Sequence, residues 1–136
     1  MEFLDYYDQT KYIADMENQE DIKIFSDKLK RNDIRQIAKL TFVEMAKAVI
    51  DIKRKIIAIG GELHADAEAV LLENGSKQAD LWGINLYPGK SDNKLIEYTS
   101  LINIRPSIGN RTQHIDDPTV RKEISNIIDE MLKGKS

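Results

Sequence analysis

The run Ile56-Ile57-Ala58-Ile59 constrains the fold of this chain more than any other. A strand sends successive side chains to opposite faces, so four consecutive apolar residues demand cover above and below. The run ends at Gly60-Gly61, where the missing side chains allow a bulge or a close backbone approach. A helical pattern follows. Ala67, Val70 and Leu71 form its buried side over Ala65 to Glu73, and Asn74-Gly75 stops it.

The neighbouring stretches supply the rest of a sheet and its cover. Ala48, Ile50 and Ile52 alternate with Lys47, Val49, Asp51 and Lys53, which predicts a hairpin from Ala46 to Ile59 with Lys53-Arg54-Lys55 as its turn. Leu81–Tyr87 reads as a further strand, and Pro88–Asn93 as a loop of turn formers. Ile96 to Arg105 alternates throughout and predicts a long strand. Ile34, Ile37, Ala38, Thr41, Phe42 and Met45 recur at three and four residues, predicting a helix over 33–45 capped by Ser26 or Asn32, with Arg35, Gln36, Lys39 and Glu44 on its other side. Val120, Ile124, Ile127, Ile128, Met131 and Leu132 mark a last helix, with Asp117 as cap and Pro118 at its first position. Ile22-Lys23-Ile24-Phe25 fits a short edge strand. Residues 1–25 otherwise read as a short helix or a loosely docked arm, with Phe3/Tyr7 and Tyr12/Met16 at helical spacing among acidic residues.

The sum is one α+β domain over 1–136: a mostly antiparallel, or mixed, sheet of four to five strands packed with three to four helices. The chain has 136 residues, enough to bury a core without staples. It has no cysteine, which excludes disulfides and cysteine-based zinc sites and fits a reducing, cytoplasmic setting. The acidic N-terminus is not a signal peptide, and no apolar run reaches the roughly 18 residues of a membrane span. With 20 Lys+Arg against 23 Asp+Glu, the net charge of −3 gives no reason to expect nucleic acid or an anionic membrane as partner. An exposed sheet edge allows an oligomer.

Four stretches carry a resemblance: Met45–Asp51, Ala58–Glu68, Asp80–Pro88 and Leu101–Arg111. Across 45–111 the chain resembles a small prokaryotic family of uncharacterised proteins, a domain-of-unknown-function family. That resemblance implies no mechanism.

Two constellations carry chemistry. Glu62, His64, Asp66 and Glu68 are spaced by two, with His64 and Glu68 one helical turn apart. Imidazole with carboxylates suits a divalent metal (Zn, Mn or Mg) or an acid/base pair with His64 and Glu62 as catalytic candidates. The same carboxylates are also explained by the dipole of a helix N-terminus. Arg105, Asn110 and Arg111 flank a loop whose guanidinium and N–H donors suit phosphate or carboxylate; the alternative is a strand end followed by a turn, with the two arginines paired to Asp116 or Asp117. Trp82, Tyr87 and Tyr98 read as sheet-face residues, Lys53-Arg54-Lys55 as a solvated tip, and Lys47 with Asp51 as a pair on one strand face.

Topology decides whether the two constellations meet. If the strand after the 65–73 helix runs antiparallel to the strand before it, Arg105, Asn110 and Arg111 face Glu62, His64 and Asp66. If the helix is a crossover between parallel strands, they stand apart. Two functions follow. One is a small binding or regulatory module for an anionic ligand or a protein partner. The other is a metal-assisted phosphoester hydrolase, with Glu62, His64 and Asp66 on the metal and Arg105 and Arg111 on the phosphate.

Overall fold

The computed structural model describes residues 21–134. Its elements are β1 (Lys23–Phe25), α1 (Arg31–Ala38), β2 (Ala46–Asp51), β3 (Ile56–Ile59), α2 (His64–Glu73), β4 (Leu81–Leu86), β5 (Ile96–Glu97) and α3 (Pro118–Leu132). The five strands form one sheet in the order β1-β3-β2-β4-β5, with every neighbouring pair antiparallel. The architecture is α+β, as the alternation of hairpin and helix patterns predicts. The short helix or docked arm expected before Asp21 lies outside the described residues, whereas the edge strand expected at Ile22–Phe25 is β1.

β3 lies between β1 and β2 and needs cover on both faces, which it receives. Ile57 and Ile59 join Ile34 and Ile37 of α1 and Ile124 and Ile128 of α3 in one core. Ala58 joins Val49, Leu81 and, from α2, Ala67 and Leu71 in a second core on the opposite face. Fully burying Ile124 and Ile128 stabilises the fold by roughly 1.5–3 kcal/mol each. α3 begins as its sequence dictates, with Asp117 Oδ1 accepting from Thr119 N at 2.8 Å and Pro118 in the first turn.

β3 and β4 both pair antiparallel with β2. They therefore run parallel to each other with β2 between them, and α2 is the crossover that joins them. Of the two topologies open from sequence, this is the one that keeps the constellations apart.

Three expectations are corrected. The helix expected over 33–45 spans Arg31–Ala38 and is capped by neither Ser26 nor Asn32. Asp33 instead accepts from Lys30 N at 2.9 Å. Lys39 still has right-handed helical angles, and the turns after it reverse the chain so that Ala46 opens β2 opposite Leu86. The long strand expected at Ile96–Arg105 stops at Glu97. Beyond it Leu101–Asn103 and Pro106–Ile108 form short 3-10 turns. The hairpin turn closes through Lys55 N to Asp51 O at 2.9 Å, with Lys55 left-handed at φ +57°. Asp51 does not serve Lys47. It is fully buried, its Oδ1 accepts from Lys53 N and Arg54 N at 2.9 Å, and its Oδ2 accepts from Ser76 Oγ at 2.6 Å. Lys53, Arg54 and Lys55 are exposed, as expected of a solvated tip, and Arg54 in addition donates to Asn74 O and Ser76 Oγ at the end of α2. Among the described residues, no helix is long and apolar enough to cross a membrane.

Candidate functional site

The structure disperses the Gly60–Glu68 constellation. Glu62 is exposed, whereas His64 and Asp66 are buried. His64 opens α2 and sets Nε2 2.9 Å from Ile84 O. A carbonyl only accepts, so the hydrogen bond places the proton on Nε2 and leaves the lone pair on Nδ1. Burial pushes the His64 pKa down; the Ile84 bond opposes this and Lys47 adds to it. Burial therefore favours the neutral ring. His114 is exposed and held elsewhere, its Nδ1 3.0 Å from Thr99 Oγ1. Among the described residues no group of three or more His, Asp and Glu side chains is placed to hold a metal ion. Glu62, His64, Asp66 and Glu68 thus do not assemble as a ligand set.

The Arg105–Arg111 constellation serves the protein's own backbone. β5 pairs with β4 only at Asn85 and Leu86, so the outer edge of Leu81–Ile84 lacks a strand partner on that side. Side chains fill the gap. Asn103 accepts from Gly83 N at 2.8 Å and donates to Gly83 O at 2.9 Å, as a strand backbone would. The Arg105 guanidinium donates to Gln78 O at 3.0 Å and to Leu81 O, and lies 4.5 Å from the Trp82 ring centre. Asn110 Nδ2 donates to Asn103 O, Thr112 O and His114 O, and its Oδ1 accepts from Asp116 N. Of the three residues expected to bind an anion, Arg105 and Asn110 have these backbone partners and only Arg111 is exposed.

The two constellations are linked at one point, through charge rather than contact. Glu68 and Arg105 interact electrostatically: burial raises the Glu68 pKa, with Arg105 and then Gln78 opposing. The Arg105 pKa is lowered by burial and raised by Glu68. His64 reaches β4 at Ile84 and Arg105 reaches it at Leu81, a spacing of roughly 10 Å at strand rise.

A different place gathers exposed cations. A cleft of about 470 Å³ opens where the end of α1 meets the loop after β4, lined by Arg35, Lys39, Val43, Glu44 and Tyr87–Lys90. Arg31 clamps that loop from beneath, donating to Pro88 O at 2.8 Å, to Lys90 O at 2.9 Å and to Asp92 Oδ1. Arg35 donates to Pro88 O at 3.3 Å, and Lys90 Nζ lies 4.1 Å from the Tyr87 ring centre. The Tyr87 hydroxyl donates to Glu97 Oε1 at 3.2 Å, and its pKa is raised by burial and then by Glu97. At the rim, Glu44 N donates to Phe42 O at 2.9 Å around Val43, whose φ is +72°. That bond and that φ describe a γ-turn of the rare, strained kind. For a β-branched residue this conformation is a genuine outlier.

One signal in the sequence points to this cleft. Arg31, Arg35 and Lys39 are spaced by four and so form one basic stripe on a helix. Nothing in the sequence shows that the stripe ends beside Pro88-Gly89-Lys90.

Comparison with known proteins finds one relation. A family model described as "Protein of unknown function (DUF5674)" matches residues 23–131, from the first residue of β1 into the last turn of α3, and the chain belongs to that family. No curated protein and no solved structure matches it.

Proposed function

We propose that this member of the family is a binding module for a small anionic ligand, held in the cleft between α1 and the Tyr87–Lys90 loop. The observation that carries the reading is the charge of the lining: Arg35, Lys39 and Lys90 stand against the single carboxylate Glu44. Guanidinium and ammonium donors suit phosphate and carboxylate. The Tyr87 ring and Val43 offer apolar surface for the body of the same molecule. Arg31 presets the loop, so binding requires little ordering. A cytoplasmic setting belongs to the same reading, since a cysteine-free chain suits a reducing compartment. The metal-assisted hydrolase has less support, because Glu62, His64 and Asp66 do not converge.

Phenyl phosphate is a suitable probe, pairing a dianion with a flat apolar ring. Titrated into the isotope-labelled full chain, it is expected to shift the amide resonances of Val43, Tyr87, Gly89 and Lys90. The double variant Lys39→Glu/Lys90→Glu should abolish those shifts while the remaining spectrum stays that of a folded protein. Shifts confined to Gly109–Arg111, or no shifts at millimolar probe, would overturn the assignment.

A further inference from the structure

We infer that the turn between α1 and β2 docks on a lipid surface: its apolar side chains enter the interface of an anionic bilayer, and the cleft beside it takes a lipid headgroup. This rests on the anion-binding reading above and names the source of the anion. Three observations carry it. The first is exposure. Leu40, Phe42 and Val43 fall within four consecutive residues and are 59%, 41% and 65% exposed. Four residues span at most about 14 Å, so three large apolar side chains share one small area. Single exposed apolar residues need no explanation, whereas a contiguous set marks an interaction surface. The backbone beneath them is tied down. Leu40 N donates to Ile37 O at 3.0 Å, and Thr41 N and Val43 N donate to Ala38 O at 3.1 and 2.7 Å.

The second is strain. Val43 has φ +72°, an outlier for a β-branched residue. Its exposure returns little of that cost. Burial within the chain is therefore not the reason for a valine here, whereas an apolar layer outside the chain would be.

The third is charge. Arg35, Lys39 and Lys90 line the cleft together with Val43, against one carboxylate, Glu44. Lys47 Nζ lies 5.1 Å from the Phe42 ring centre. The net charge of −3 gives the whole molecule no attraction to an anionic surface, so the attraction is local. Each Lys or Arg held near such a surface strengthens binding roughly fivefold, and apolar insertion adds to it. Nucleic acid would use the cations but leave Leu40 and Val43 in water; an anionic bilayer uses both. Leu101, Ile104 and Ile108 are exposed as well, but the cation among them, Arg105, donates to Gln78 O and Leu81 O. That corner is the control.

The test sediments the full chain with vesicles of phosphatidylglycerol and phosphatidylcholine in equal parts. Pelleting is expected at low ionic strength, with less in high salt and none on pure phosphatidylcholine. Leu40→Ser/Phe42→Ser changes two residues outside the cleft lining. It should weaken vesicle binding at least about tenfold while phenyl phosphate still shifts the amides of Gly89 and Lys90. The chain has no cysteine, so an environment-sensitive dye can be placed on Leu40→Cys or on Leu101→Cys alone. The dye should brighten on the mixed vesicles at the first position and not at the second. Pelleting without brightening at Leu40→Cys, or brightening only at Leu101→Cys, would overturn the inference. Binding of polyglutamate without binding of vesicles would make an acidic protein the partner and overturn it too. Phenyl phosphate bound by a chain that no vesicle pellets removes the inference and leaves the ligand reading standing. Vesicles bound through Leu40 by a chain that phenyl phosphate does not bind remove the ligand reading and leave the docked turn.

Discussion

Arg105 and Arg35 carry the same guanidinium, yet the two regions that hold them are built for opposite purposes. Around Arg105 the need comes from the main chain. β4 has an outer edge that β5 covers only at Asn85 and Leu86, and an unpaired buried N–H or C=O is costly. Asn103, Arg105 and Asn110 meet that need and close the edge. Around Arg35 the main chain is already served, chiefly by Arg31 on Pro88 O and Lys90 O. Lys39 and Lys90 are then left exposed at an open cleft. The lesson is that a cation signals a ligand site only after the carbonyls beside it have been counted.

The largest expected effect lies on the first side. Asn103→Ala strands both backbone groups of Gly83 and leaves a hole at a fully buried position. Two unmet groups at about 1–3 kcal/mol each predict a loss of roughly 2–6 kcal/mol in urea unfolding. Arg105→Ala removes the donors on Gln78 O and Leu81 O together with the Trp82 contact, and should cost about 1–2 kcal/mol. Lys39→Ala and Lys90→Ala should stay within about 0.5 kcal/mol of the parent protein while weakening phenyl phosphate. Should Asn103→Ala unfold at the parent's urea midpoint, the contrast between the two regions collapses.

A smaller effect concerns His64, which sits between the regions. The unfolded ring titrates near its ordinary value of 6.5 and the folded ring lower. The unfolded chain therefore takes up the proton first. The stability contributed by the neutral ring is complete above pH 6.5 and is lost as the pH falls through the folded value. Lys47 from β2 adds to the lowering, whereas Asn85 from β4 and Glu97 from β5 oppose it. Glu68 has the opposite sign. Its raised pKa contributes stability below 4.5 that is lost as the pH rises through the folded value. Urea midpoints between pH 7.5 and 5 should fall for the parent and flatten for His64→Gln, whose amide retains a donor for Ile84 O. Identical slopes would acquit His64.

The strands with dense apolar patterns and the last helix were legible because burial alone decides them. Ile56–Ile59 had to lie inside a sheet, and Asp117-Pro118 had to start a helix. The strand expected to run on to Arg105 was misread because alternation is only half of a ladder. Gly83 admits Ser100 so closely that a Cβ there would meet Ser100 Cβ at 2.5 Å, and the Asn103 amide takes the ladder's place. No periodicity reports a side chain standing in for a backbone. The corner at Gly60–Glu68 was located correctly from its glycines and acids. Its residues were read as one cluster because spacing in sequence does not say that His64 turns to Ile84 and Glu68 to Arg105. The cleft was missed because its halves, Arg35 with Lys39 and Tyr87 to Lys90, lie about fifty residues apart in the chain.

The smallest effect separates the regions by strain. The corner around Arg105 places a glycine, Gly109 at φ +88°, where its turn needs positive φ. The cleft places Val43 at φ +72°, with 65% of the residue exposed. A β-branched side chain there costs on the order of 1 kcal/mol, and so exposed a valine recovers little of it by burial. Strain of this kind persists where the surrounding structure imposes it, and it gathers at ligand clamps. Val43→Gly should therefore raise stability by up to about 0.5 kcal/mol, the strain relieved less the added freedom of glycine in the unfolded chain. The same variant should weaken phenyl phosphate, because a rim that glycine loosens no longer holds Glu44 and Lys39 in place. A melting temperature that rises while phenyl phosphate affinity is unchanged would separate the strain from the ligand. A melting temperature that falls would show that Val43 is not strained, and would remove the distinction drawn here between the two turns.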